Sequence, residues 1–499
     1  MSRAVSGIAE ASWELLTEAV ELYRTDQRAV RRLHRQLERY AEPLRIAVAG
    51  PWRSGKSTLL NAIMGEEVAP VEVADGRQVF TWYEDGAQPR VTAYAASGSP
   101  RELAVTRTAR GMRVDLGGWR WDQVDDIVVQ WPTRALRHAV LIDTPAISPE
   151  LDPVGGPDRT PPELPDAGAS VLGRVVREAD AVLYLSRDGR GDDLGSLRAA
   201  EPDSVAGAAP VNVLMVLSRV DELAGGRIDA LLTARQLARR YRRDPAISAR
   251  CLSVVALGGL VALAGRVLTE PEYAALAVLA RLPKAENDRL LLSTDRFTAP
   301  DAPVAVDVAT RRALLDRLGI FGVRLSITLI RTGCDTRARL ATELVRRSGL
   351  AELRESITRY FVDRTPLLKA RSALAALESL LRTEPRPGTK ELLARLEHVL
   401  ATAHEFRELR LLAALLGGRI RFEPELLAEA NRLLGGDGTS LAARLGIEHD
   451  ATADELWERG CVAVRRWQEL AEDPAYGAEQ RRAARVVVRS CEGMLAELT

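Results

Sequence analysis

Residues Leu44 to Met64 read LRIAVAGPWRSGKSTLLNAIM, and this stretch decides the fold. LRIAVA is a short apolar run with the length and branched residues of a buried strand. GPWRSGKS, Gly50 to Ser57, matches the G-x-x-x-x-G-K-S pattern between a strand and a helix, which is the context the motif requires. KSTLLNAIM then turns helical. Glycines let successive backbone N–H groups face inward around phosphates, and the helix N-terminus adds its positive dipole end. Lys56 is placed to bridge β- and γ-phosphates and Ser57 to ligate Mg²⁺.

Working outward, further strands are expected at Val79–Tyr83 and Arg90–Tyr94, joined by an Asp85-Gly86 turn, and at Asp126–Gln130, Ala139–Ile142, Ala181–Ser186 and Val211–Leu217. The last three are nearly continuous apolar runs, as in strands covered on both faces. Helical patterns lie between several of them. The expectation is an α/β domain, a mostly parallel sheet with helices on both faces. Two strands end in acidic turns. LIDTP, Leu141 to Pro145, puts Asp143 at a carboxyl end, where parallel sheets bind ligands, so Asp143 is a candidate Mg²⁺ ligand. LSRVD, Leu217 to Asp221, offers a carboxylate that can accept from the N1–H and 2-amino group of guanine; adenine lacks that pair, which penalises ATP. The plain alternatives are a strand-end Asp and a helix cap. Val254 to Gly258 stands where a backbone contact to the base is expected, but no residue there is singled out.

Composition narrows the class. Lys plus Arg and Asp plus Glu both number 69 in 499 residues. That balance argues against a general nucleic-acid binder, and Arg239, Arg240, Arg242 and Arg243 read as a solvated helix face. Cys251, Cys334, Cys461 and Cys491 are far apart, fit no metal spacing and suit a reducing cytosol. No signal peptide is visible. Leu252 to Leu268, LSVVALGGLVALAGRVL, is short of the about 20 apolar residues of a membrane span and reads as a buried strand, a Gly-Gly turn and a helix. A soluble cytoplasmic chain is expected, with peripheral contact at the inner face of the plasma membrane if it acts on membranes.

Residues 12–40 carry a helical stripe through Leu16, Val20, Tyr23, Leu33 and Leu37, ended by Pro43. Residues 145–168 are rich in Pro and Gly and read as a long loop. Beyond about residue 300 strands give way to helices: a stripe over 350–381 that Pro366 would kink, then helices around 389–416, 423–435, 453–471 and 477–497. Leu411 to Phe422, LLAALLGGRIRF, reads either as a hairpin inside a bundle or as an apolar membrane tip beside two arginines.

The order phosphate loop, DTP, then SRVD resembles the GTPase superfamily. Within it the chain is similar to the bacterial dynamin-like GTPases, through the helix before the first strand, the long nucleotide-binding region and RSGLAELRESITRYF, Arg347 to Phe361. Further stretches (AEPLRIAVAG, TWYEDGAQPRVTA, SRVDE, LLSTDRF, GTSLAARLG) resemble the actinobacterial isoniazid-inducible members. The resemblance implies a P-loop GTPase domain at 44–345, an N-terminal neck helix at 1–43 and a C-terminal neck and short stalk at 346–499, the flanking helices forming an all-α bundle. It implies nucleotide contacts from Gly50, Arg53, Ser54, Gly55, Lys56, Ser57, Thr58, Asp143, Ala146, Ser218, Arg219 and Asp221. Catalysis falls to Arg53 and Lys56, and Mg²⁺ to Ser57 and Asp143. GTP and GDP are the expected substrate and product. The expected partner is a second copy or a related dynamin-like protein, such as a longer IniA-like relative, with no nucleic acid.

Four positions depart from the family pattern. Arg77 aligns with the first-switch Thr that reaches Mg²⁺ and orients water, and Thr81, inside the next strand, is a poor substitute. Ala146 replaces the glycine of DTPG but keeps the N–H. Trp52 and Arg53 replace Gln-Ser; Arg53 reads as an internal arginine finger or as a side chain facing solvent or an acid of the switch loop. The alternative to a working GTPase is therefore a degenerate subunit that binds nucleotide weakly or not at all and scaffolds an active partner.

Overall fold

β1 (Leu44–Ala49) is the fourth strand from one edge of a sheet of ten strands among the described residues. The computed structural model describes residues 3–69, 79–95, 99–108, 111–116, 119, 123–147, 171–187, 189, 194–195, 197, 211–447 and 451–498. The other strands are β2 (Phe80–Asp85), β3 (Arg90–Tyr94), β4 (Arg101–Thr108), β5 (Gly111–Asp115), β6 (Asp126–Trp131), β7 (Ala139–Asp143), β8 (Ala181–Ser186), β9 (Val213–Leu217) and β10 (Ser253–Ala256). Their order across the sheet is β10-β9-β8-β1-β7-β2-β6-β3-β4-β5. From β10 to β7 all neighbours are parallel. β2 turns against β7 and runs parallel to β6, and the rest is antiparallel. β8 and β9 are buried at every residue, which is why their sequences do not alternate.

Side chains of β1 alternate between two layers. Ile46 and Val48 join a core with Leu59 and Ile63, whereas Ala47 and Ala49 join one with Leu172, Val175 and Phe321. The helices are α1 (Arg3–Leu22), α2 (Gln27–Glu38), α3 (Lys56–Met64), α4 (Val171–Glu178), α5 (Ala230–Arg243), α6 (Pro245–Ser248), α7 (Gly259–Val267), α8 (Glu270–Ala280), α9 (Lys284–Leu290) and α10 (Thr294–Phe297). After them come α11 (Val308–Arg331, broken at Gly319), α12 (Arg337–Ser348), α13 (Leu350–Tyr360), α14 (Thr365–Thr383), α15 (Thr389–Thr402), α16 (His404–Leu416), α17 (Pro424–Leu433), α18 (Leu441–Leu445), α19 (Ala453–Glu472) and α20 (Ala478–Ala496). The fold is thus a mostly parallel sheet with helices on both faces plus a helical C-terminal region. No strand follows Ala256 among the described residues.

The helical region is not a detached bundle. Its core is continuous with one face of the sheet: Leu16 of α1, Leu374 of α14 and Trp467 of α19 belong to the same buried cluster as Ile46, Leu141 and Val255. Polar groups lock the junction. Arg39 pairs with Asp180 at 2.8 Å, both buried, and donates to the carbonyls of Arg177 and Glu178. The second oxygen of Asp180 accepts from the Arg45 N–H. Lys369 of α14 donates to the carbonyls of Arg39 and Glu42.

Several expectations need correction. The stripe over 12–40 is two helices, because Asp26 caps a new one by accepting from the N–H groups of Arg28 and Ala29. β2 and β3 follow one another through Gly86 but are not neighbours; β6 lies between them, each pairing with it. β4 and β5, a charged edge hairpin, escaped the sequence reading. Pro366 kinks nothing: α13 ends at Tyr360, and Pro366 sits in the first turn of α14, where its missing N–H costs no bond. The 389–416 segment breaks at Ala403 into two helices. Leu411 to Leu415 are buried, which favours the hairpin reading over a membrane tip. Leu252–Leu268 is a strand, a Gly258-Gly259 turn and a helix, and among the described residues no helix is long and apolar enough to cross a membrane. The long loop lies outside the described residues beyond Ile147, as does Arg77.

Removing one partner of the Arg39–Asp180 pair strands a buried charge. Asp180→Ala is expected to destabilise the protein by about 3–5 kcal/mol, read as a lower urea midpoint. An unchanged midpoint would show that the pair does not hold the junction.

Candidate nucleotide site

Gly50 to Ser57 connect the carboxyl end of β1 to α3. Gly50 has φ 147°, and a Cβ there would lie 2.6 Å from the Leu185 carbonyl oxygen, so the loop can pass against β8 only without a side chain. Gly55, at φ 94°, caps α3. Arg53 also adopts positive φ, 57°, a conformation that costs a branched or bulky residue about 1–2 kcal/mol. Its carbonyl is held by Arg187, whose guanidinium donates to Arg53 O at 2.7 Å and Trp52 O at 3.4 Å. The Arg53 side chain itself is exposed, as is Trp52. The Ser54 hydroxyl is buried in the loop and has no hydrogen-bond partner among the described residues.

Lys56 is 6% exposed and donates to the carbonyls of Gly50 at 3.1 Å and Pro51 at 3.2 Å. Burial lowers its pKa, and the Asp143 charge opposes that. The Ser57 hydroxyl donates to Asp143 Oδ2 at 2.8 Å. Burial pushes the Asp143 carboxyl up to about 6, against the Ser57 bond and the Lys56 charge. Ser57 and Asp143 bring two hard oxygen donors together beside an ammonium group. That donor chemistry fits Mg²⁺, which takes few protein oxygens and completes its shell with water and phosphate. Among the described residues no cluster of three or more His, Cys, Asp or Glu could hold another metal.

The remaining expected residues line the same edge. Ala146 stands next to Ile147, whose N–H donates to Gly50 O at 3.1 Å. Ser218 follows β9; its N–H and hydroxyl both reach Ser186 O, at 2.8 and 3.2 Å. Ser186 precedes Arg187, so bonded residues link the LSRVD turn to the phosphate loop. Asp221 lies in the short helix Val220–Gly225, partly buried, and burial raises its pKa. Arg219 is in the left-handed region, φ 50°, and pairs with Glu222. Thr58 touches the turn before α7, 3.5 Å from where a Gly259 Cβ would be. The structure therefore gathers Gly50 to Thr58, Asp143, Ala146, Ser218, Arg219 and Asp221 at the carboxyl ends of β1, β7 and β9.

Three contributors were not singled out in the sequence. Asn61 Oδ1 accepts from the N–H groups of Val68 at 2.9 Å and Ala69 at 2.7 Å, fastening the root of the loop after α3. A polar residue inside LLNAIM was the available signal. Arg187 was signalled only as a basic residue just past an apolar strand. Tyr83 is fully buried, its hydroxyl without a hydrogen-bond partner among the described residues; burial, then the Asp143 charge, raises its pKa well above the usual value. Thr81 is the Cα partner of Asp143 across the β2–β7 pair, but its hydroxyl donates within its own strand, to Val79 O at 3.3 Å.

A carboxyl raised in the folded state binds protons that the unfolded chain has released. Stability is thus lost as pH rises from about 4 to about 6 and stays lost above. Asp143→Asn cannot ionise. In chelator and without nucleotide it is expected to stabilise the protein by about 1–2 kcal/mol at pH 7.5, discounted for the solvent reaching its edge. The gain should vanish near pH 4. A gain that did not change with pH in thermal melts would remove burial of the ionised carboxylate as its cause.

No family model matches the chain. Curated relatives do: the isoniazid-induced protein IniC from two strains of Mycobacterium tuberculosis, each 36% identical over 461 residues, covering 92% of this chain and 92% of the relative. Solved structures of an oligomerised bacterial dynamin pair, described as providing a mechanism for the long-range sensing and tethering of membranes, align with 96% and 98% of this chain. They do so at 13% and 12% identity and TM-scores of 0.29 and 0.30, and the chain spans 65% and 73% of their lengths. That overlap is too slight to carry a structural argument. The sequence match, running through the phosphate loop, the strand-end acids and the helical region alike, establishes that this chain belongs to the family of the isoniazid-induced protein IniC.

Proposed function

We propose that the chain is a dynamin-like GTPase: it binds guanine nucleotide with Mg²⁺, hydrolyses GTP, and couples that cycle to assembly and membrane remodelling. The observation that carries the reading is the phosphate loop with its partners: positive φ at Gly50, Arg53 and Gly55, a buried Lys56 on loop carbonyls, and the Ser57–Asp143 pair at 2.8 Å. Phosphate oxygens replace the Gly50 and Pro51 carbonyls as acceptors for Lys56. Ser57 and Asp143 would hold Mg²⁺, which would supply charge neutralisation to the phosphates. Asp221 reads the guanine edge. Arg53, on a strained loop residue beside those phosphates, neutralises developing charge as an internal arginine finger. Arg187 positions it by holding its carbonyl.

The boundaries at 43/44 and 345/346 divide the nucleotide-binding part from neck and stalk helices, with Gly349 as the turn between them. Its φ is 91°, and a Cβ there would lie 2.1 Å from the Ala256 carbonyl oxygen, so the turn packs tightly on the end of β10. Assembly with a second copy or a longer related dynamin-like protein, at the inner face of the plasma membrane, completes the proposal.

A second reading rests on Thr81. The hydroxyl opposite Asp143 is spent within its strand, which leaves water positioning without an owner among the described residues. In that reading the chain binds nucleotide and scaffolds an active partner.

Affinity for GTP, GDP and ATP, followed by single-turnover hydrolysis with Mg²⁺, separates the two. Lys56→Ala is expected to abolish measurable GTP binding. Arg53→Ala is expected to slow hydrolysis by about 10³-fold or more with affinity retained. Selective GTP binding without turnover, even with lipid and a longer dynamin-like relative, would leave only the scaffold reading.

A further inference from the structure

Two basic stretches far apart in sequence meet where the sheet region joins the helical region. One is the end of α5, Arg239 to Arg243. The other is Gly417 to Arg421, after α16. The Gly417-Gly418 turn lies directly on α5: a Cβ on Gly418 would be 3.2 Å from Arg243 Nε, and one on Gly417 would be 3.4 Å from the Arg242 carbonyl oxygen. Arg242 is committed to structure, donating to Val254 O at 2.6 Å and pairing with Glu352. Arg243 beside it, Arg419 in the turn and Arg410 on α16 are not: Arg243 and Arg410 are exposed and Arg419 half-buried, and none of the three side chains is hydrogen-bonded or ion-paired among the described residues.

Arg419 is the informative member. Its Nε is out of contact with solvent and has no acceptor among the described residues. Burial lowers its pKa, and the like charge of Arg410 lowers it further, against smaller opposing effects of Cys251, Glu479 and Tyr360. A guanidinium desolvated next to a like charge, with a donor left unmade, is a costly arrangement in a folded chain. A bound oxyanion relieves both costs at once. Phosphate suits the place better than a single carboxylate. Several guanidinia approaching from two elements require several acceptor oxygens arranged around one centre, and the planar fork of Arg matches phosphate oxygens in pairs.

We propose that Arg243, Arg410 and Arg419 form a second phosphate-anion site, separate from the phosphate loop, at the seam between α5 and the turn after α16. Its ligand is a phosphate ester or polyphosphate, whether free in solution or presented by an anionic lipid headgroup. Because the arginines come from both regions, the ligand ties the helical region to the sheet. The site does not depend on the nucleotide reading.

The test uses the full-length protein and two probes. Inorganic pyrophosphate is titrated by calorimetry, and vesicles of phosphatidylglycerol and phosphatidylcholine are assayed by flotation against phosphatidylcholine alone. Each is run on wild type, Arg410→Gln/Arg419→Gln, and the surface variant Arg243→Gln, which keeps the question open if the double variant fails to fold. All are repeated in a Lys56→Ala background. There the phosphate loop contributes nothing, so failure of the nucleotide reading and failure of this one are separate results. Pyrophosphate binding weakened about tenfold or more by the seam variants supports the site with a soluble ligand. Loss of flotation with pyrophosphate binding unchanged supports it with a lipid source. If both probes bind the seam variants as they bind wild type, the proposal is overturned.

Discussion

Parallel register between β1 and its two neighbours sets the site. Val48 lies opposite Asp143 on one side and Leu183 on the other. Parallel strands send their carboxyl ends to the same edge, so the loops that follow β1, β7 and β8 must emerge together. The loop leaving β1 is then bounded by Asp143, by the chain carrying Ile147 and by Arg187. Within those walls Gly50 has room for no side chain, and Lys56 has two carbonyls and a carboxylate as its electrostatic surroundings. Moving β7 by one residue would turn Asp143 to the opposite face and break its contact with Ser57.

The helical region is attached to this arrangement through α3. The phosphate loop opens its first turn. Near its other end, Arg354 of α13 donates to the Ile63 carbonyl at 2.6 Å. The one short helix thus touches both the loop and α13. The Arg39–Asp180 pair and Lys369 hold the other side of the junction, between α2, α14 and the start of β8. Both connections use guanidinium or ammonium groups on backbone carbonyls. Such groups fix two elements at a defined distance in a way that the continuous apolar core does not.

Long-range pairing overrides local signal at several points in the chain. Asp85-Gly86 is good turn chemistry, and it does join two strands, yet β6 inserts between them because Asp126 to Trp131 can pair with both. Pro366 looks like a kink in a continuous stripe, but the chain had already stopped its helix at Tyr360. Asn61 and Arg187 carry no motif of their own; their importance comes from which backbone groups they reach. The arginines of α5 read as a solvated face because nothing nearby in sequence shows that the turn carrying Gly417, Gly418 and Arg419 packs on them.

Local sequence by itself determined the strand-loop-helix unit of Leu44 to Met64, the run of buried parallel strands, the acids at their ends and the change to helices. Each follows from short-range physics: hydrophobic period, glycine at positive φ, and apolar runs too long to alternate. Whole-chain resemblance placed the family. Only the tertiary structure decided which strands are neighbours, that the helical region shares a core with the sheet, and that separate arginines converge at its seam. Those outcomes depend on contacts between residues tens to hundreds of positions apart, whose energies are set by packing and desolvation in the assembled fold and leave no local pattern to read.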